Sequence, residues 1–98
     1  METEFDDDDI NDSIVHIRVQ PYKSRKHFTL IECKFTEVEC TSMVKKMKIK
    51  FSCGGHVKLD KDTNQYVCIL NGDHRQSVCD FLVKTCSIHH ETIVIHGG

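Results

Sequence analysis

The apolar pattern predicts an α+β two-layer sandwich: a five-stranded mixed sheet with two helices on one face, in the order ββαββαβ. Three observations carry this. Apolar residues alternate with polar ones, or run unbroken, over five short stretches. Two longer stretches repeat them at three- and four-residue spacing, each behind a helix-capping signal. No internal repeat divides the 98 residues, which suffice for one small core and not for two. Strand pairs alternating with single helices pack as a sheet covered on one side, and the pattern leaves the strand order open.

Residues 1–12 hold seven acids and no base, with almost no aliphatics and no periodicity, which predicts a disordered acidic tail ahead of a folded domain over 13–98. In 14–19, Val15, Ile17 and Val19 alternate with His16 and Arg18 as in a half-buried strand, and 28–33 is a second strand. Between them, 20–27 holds the only proline and reads as a polar hairpin end. Its bases Lys23, Arg25 and Lys26 are interleaved with Tyr22 and His27, a mixture able to meet phosphates and stack on nucleotides, or simply to keep a hairpin soluble and its edges unpaired.

Thr36 and Glu39 form a capping box for a helix reaching about Phe51. Cys40, Val44 or Met43, Met47 and Phe51 make its apolar stripe, while Lys45, Lys46, Lys48 and Lys50 crowd the remainder, as a solvent face or a nucleic-acid contact. A glycine of the pair Gly54-Gly55 is expected to close the helix in the left-handed conformation. Residues 56–59 and 66–70 read as third and fourth strands around the polar loop 60–65. At Asn71-Gly72 the fourth strand stops. Asp73 is placed to cap the next helix, with Gln76 at capping-box spacing, and Val78, Cys79, Leu82, Val83 and Cys86 give that helix its apolar face. Residues 87–91 form a turn and 92–96 a fifth strand.

Composition narrows the classes. No apolar run nears 18 residues and no basic-then-apolar leader is present, which predicts a soluble intracellular chain with no membrane contact. The six cysteines fall largely on apolar faces, so they are expected to be reduced core residues rather than three disulfides. None lies closer than seven positions to another, which lacks the paired-ligand spacing of structural zinc, so no metal and no cofactor is expected. Cys53 near His56 resembles a nucleophile with a base, but nothing supplies an orienting third group or an oxyanion site. Beyond the acidic tail there are 13 bases against eight acids, a net +5, which suits an RNA partner or a solvated surface.

The segment Leu70-Asn71-Gly72-Asp73-His74-Arg75, followed by Val78-Cys79 and Phe81-Leu82-Val83, resembles the Gly-Asp-Gln-Arg motif and second helix of the eukaryotic translation initiation factor 1 family, also known as the SUI-domain family. The resemblance runs from about Ile14 to Gly97 and includes His16-Ile17-Arg18, Arg25-Lys26, Cys53 to Gly55 and His96-Gly97. Departures are Lys23-Ser24 in place of Asn-Gly at the hairpin tip, Gly54 for Asn, His74 for Gln, a slightly longer 60–65 loop and Gly98 for a terminal aromatic.

This resemblance implies a non-enzymatic, monomeric, cytoplasmic factor, acting in the host cytoplasm if the gene is viral. It would bind the small ribosomal subunit near the decoding site beside other initiation factors, promote scanning and enforce AUG selection. Lys23, Arg25, Lys26, Lys45, Lys48 and Lys50 would then meet rRNA phosphate, while Gly72, Asp73, His74 and Arg75 would lie near the start codon and initiator tRNA, with Asp73 repelling nucleic acid. The alternative is a general single-strand RNA-binding module of similar fold. It lacks the aromatic Gly-Phe motif of the commonest RNA-binding sheet.

Overall fold

A computed structural model of the chain describes residues 14–96. The acidic tail expected over 1–12 lies outside the described residues. Strands β1 (Val15–Lys23), β2 (Lys26–Glu32), β3 (Gly55–Asp60), β4 (Gln65–Asn71) and β5 (Ile93–Ile95) form one mixed sheet in the order β3-β4-β2-β1-β5, with β5 parallel to β1 and the other pairs antiparallel. Helices α1 (Glu37–Phe51) and α2 (Arg75–Thr85) complete the predicted ββαββαβ order, with a short 3₁₀ turn at His90–Thr92 before β5.

Period-two alternation decides which face the helices cover. Val15, Ile17, Thr29, Ile31, Cys68 and Leu70 are fully or almost fully buried, and the register sets Ile17 beside Ile31, Ile31 beside Cys68 and Thr29 beside Leu70. Cys40, Met43, Val44 and Met47 of α1 and Val78, Phe81 and Leu82 of α2 close over this face, α1 above β3 and β4 and α2 above β1 and β5. Each buried valine, leucine, isoleucine, methionine or phenylalanine contributes about 1.5–3 kcal/mol by leaving water. Phe81, absent from the expected stripe of α2, lies three positions after Val78 on the same buried side, and its ring meets Phe51 edge-on at 6.4 Å. Cys79 and Cys86 pack at the margin, and all six cysteines are free thiols.

Local signals hold at α1. Thr36 Oγ1 accepts from Glu39 N–H (3.2 Å), and the Glu39 carboxylate accepts from Thr36 N–H (2.9 Å), a complete capping box. Its other end differs from expectation: Ser52, not a glycine, takes the left-handed conformation (φ 53°). Gly55 serves close approach instead, since a Cβ there would stand 2.7 Å from the Ile69 carbonyl of β4.

The first hairpin also departs from the reading of 20–27 as loop. The strands continue to Lys23 and from Lys26, leaving only Ser24 and Arg25 in the turn, with Arg25 left-handed (φ 68°). Here the ladder projects past the helices and its residues are exposed, so polar side chains cost nothing in a paired strand.

Candidate functional site

The end of the domain where β1, β2 and β4 meet the helices is built around Thr29. This residue is wholly buried on β2, and its Oγ1 donates to the Gly72 carbonyl (2.6 Å) while accepting from the His74 N–H (2.8 Å). Gly72 N–H donates to the His27 carbonyl (2.7 Å), and Asn71 N–H to the Gly54 carbonyl (2.9 Å). The turn from β4 into α2 is therefore pinned to the base of the hairpin on one side and to the segment after α1 on the other. Gly72 has φ 99°, a conformation that side chains resist, and a Cβ there would also stand 2.9 Å from His74 Nε2.

Asp73 does not cap α2 as expected. The N-cap residue is His74, whose side chain makes no capping bond, and Gln76 Nε2 donates to Asp80 (3.3 Å) rather than completing a capping box. Asp73 instead grips Arg75: Arg75 Nε donates to Oδ1 (3.0 Å) and Nη2 to Oδ2 (2.9 Å), with the Arg75 backbone N–H at a longer 3.4 Å. The same carboxylate keeps a long bond to the first backbone N–H of α2, and the two-pronged bond between charged partners is the stronger of the two. These side-chain bonds from Arg75 hold the Asp73 carboxyl below its usual range. Arg75 Nη1 also donates to the His96 carbonyl (2.9 Å), tying the corner to the residue after β5, where His96 stacks on His16 with ring nitrogens 3.0 Å apart.

His74 is not a free donor. Its Nε2 lies 2.9 Å from the Asn71 carbonyl oxygen and its ring stacks on Phe51, centroids 5.6 Å apart. Phe51 ends α1, so the last turn of that helix abuts the same corner, with its exposed Lys48 on the side of β3 and Lys50 on the side of α2. The sheet thus brings together three groups separated in sequence: Lys23, Arg25 and Lys26 on the hairpin, the Gly72–Arg75 turn, and the basic end of α1. Lys45 is exposed further back along α1, where with Lys48, Ile49 and Val57 it lines a cleft beside edge strand β3. Among the described residues, none of these six lysine and arginine side chains forms an ion pair. Thr29 carries no motif that marks it as a site residue, although a threonine two positions before Ile31 and four before Cys33 shares their buried face and marks a buried hydroxyl in need of partners.

Comparison with known proteins gives this arrangement its family. The family model described as Translation initiation factor SUI1 matches residues 11–89. Eukaryotic translation initiation factor eIF1 of Drosophila melanogaster is 33% identical over 93% of this chain and 82% of its own length. Protein translation factor SUI1 homolog 1 of Arabidopsis thaliana is 39% identical over 85% of this chain and 73% of its own. A SUI1 homolog from Acanthamoeba polyphaga mimivirus is 31% identical over 85% of this chain and 78% of its own. The C-terminal domain of human eIF2D superposes with a TM-score of 0.72 at 12% identity, covering 84% of this chain and 42% of that chain, a likeness of fold alone. No helix among the described residues is long and apolar enough to cross a membrane. With the SUI1 model spanning most of its folded length and relatives above 30% identity along most of theirs, the chain belongs to the SUI1 family of translation initiation factors.

Proposed function

We propose that this protein binds the small ribosomal subunit near the decoding site, promotes scanning and enforces selection of an AUG start codon. The observation that carries the reading is the convergence of the basic hairpin, the Gly72–Arg75 corner and the lysine-bearing end of α1 at one end of the domain. Lys23, Arg25, Lys26, Lys45, Lys48 and Lys50 anchor on rRNA phosphate, and Gly72, Asp73, His74 and Arg75 face the start codon and initiator tRNA. The protein works as a cytoplasmic monomer beside the other factors of the preinitiation complex, in the host's cytoplasm if virus-encoded.

The mechanism is occupancy, with no bond made or broken. Bound factor disfavours full accommodation of the tRNA; a correct codon–anticodon pair compensates for displacing it, and a mismatched pair does not. Asp73 adds negative charge where phosphate approaches, and its grip on Arg75 keeps that cation turned inward toward His96, which makes the contact releasable. Co-sedimentation with isolated ribosomal subunits tests the reading. Retention on small subunits in preference to large ones is expected, and equal retention on both rejects it.

A further inference from the structure

Tyr22 and Phe28 form a parallel stack on the first hairpin, with ring centroids 4.1 Å apart and planes 9° from parallel. The arrangement depends on an irregularity in the ladder. Pro21 pairs with His27 and Lys23 with Lys26, so Tyr22 is the extra residue of a bulge, a device that re-aims one side chain. Phe28 neighbours the buried Thr29 and so belongs to the opposite face of the sheet, on which no helix lies among the described residues. Phe28 is half-buried, while Tyr22 remains 45% exposed in spite of the stack. Tyr22 therefore rests one ring face on a fixed support and turns the rest toward solvent. Lys26, two positions before Phe28, and its ladder partner Lys23 lie next to the pair along the strands, with Arg25 in the turn beyond, all exposed.

An aromatic ring held flat from beneath and rimmed by cations fits an unpaired base with its flanking phosphates, because every base has a π-face and the support spares the ring the cost of being ordered on binding. We propose that Tyr22, backed by Phe28, is a stacking platform for an unpaired nucleotide of RNA, with Lys23, Arg25 and Lys26 on the adjacent phosphates. The proposal rests on the small-subunit reading and specifies the RNA chemistry recognised there: a splayed-out base, not a duplex backbone. It assigns binding to Tyr22, where charge alone assigns it only to the neighbouring bases.

The test compares decauridylate with a chain of equal length carrying abasic sugars, each binding the full-length protein at fixed salt. Native protein should prefer decauridylate, and Tyr22→Ala should weaken that binding by about 5- to 150-fold, the range for loss of one stacked base, while leaving the abasic chain unaffected. Tyr22→Phe should restore the preference. Since the chain has no tryptophan, Tyr22→Trp supplies a single reporter whose fluorescence should be quenched by decauridylate and not by the abasic chain. Equal binding of both chains by native protein, or a preference that survives Tyr22→Ala, overturns the proposal. Retention on small subunits, measured on the same preparations, separates the two failures: stacking fails alone if native protein still prefers small subunits, and the functional reading fails if it does not.

Discussion

Replacing Thr29 by valine removes one hydroxyl and almost no volume, and its effect can be worked from two distances. The hydroxyl donates to the Gly72 carbonyl at 2.6 Å and accepts from His74 N–H at 2.8 Å, in a residue with no exposed surface. Each bond contributes about 0.5–1.5 kcal/mol net, and a buried donor left unsatisfied costs about 1–3 kcal/mol. Valine recovers part of this by burying a methyl group, so Thr29→Val should destabilise the domain by about 2–3 kcal/mol. For a domain of this size that lowers Tm by roughly 10–20 °C. Thr29→Ser keeps the hydroxyl and deletes a methyl, costing about 1 kcal/mol. Urea denaturation of the three proteins measures the ranking. If Thr29→Val falls within about 0.5 kcal/mol of native, or costs no more than Thr29→Ser, the corner is not pinned by this hydroxyl and the reasoning fails.

Three further outcomes are expected. Asp73→Asn loses one prong of an exposed ion pair, so stability should change by under about 1 kcal/mol, while the UUG-to-AUG initiation ratio should shift in a system dependent on the factor; an unchanged ratio, where deleting the factor alters it, leaves Asp73 without a role in discrimination. Burial pushes the Cys33 thiol up to about 12 from 9.0. A raised folded-state pKa gives stability that is complete below pH 9 and lost as the pH climbs toward 12, so urea midpoints should fall across that window, and less steeply in Cys33→Ala. In denaturant without reductant, anaerobically handled protein should titrate six free thiols; fewer would revive a disulfide or metal.

What the sequence disclosed was what local chemistry decides. The capping box of Thr36 and Glu39, the stripe through Cys40, Val44 and Met47 and the alternation in β1 need no knowledge of distant residues, and all are found in the fold. Asp73 has the local signature of a cap, yet the turn before α2 is held by Thr29, more than 40 positions away, and the Arg75 side chain competes for the carboxylate. Gly54 and Gly55 read as helix terminators since their closeness to β4 exists only after the sheet forms. The basic residues of the hairpin and of α1 were visible singly. That those of the hairpin and of the last turn of α1 share one end of the molecule with Gly72–Arg75 follows from the strand order, which no local pattern encodes.

The central claim is that this end of the domain grips rRNA phosphate, and binding to isolated small subunits across a salt series tests it most directly. Native protein should weaken with a log–log slope reflecting several phosphate contacts, and the double substitution Arg25→Glu and Lys26→Glu should flatten that slope by about two contacts while leaving Tm nearly unchanged. A slope identical to the native one, or a large fall in Tm that shows these exposed side chains to be structural, would contradict it.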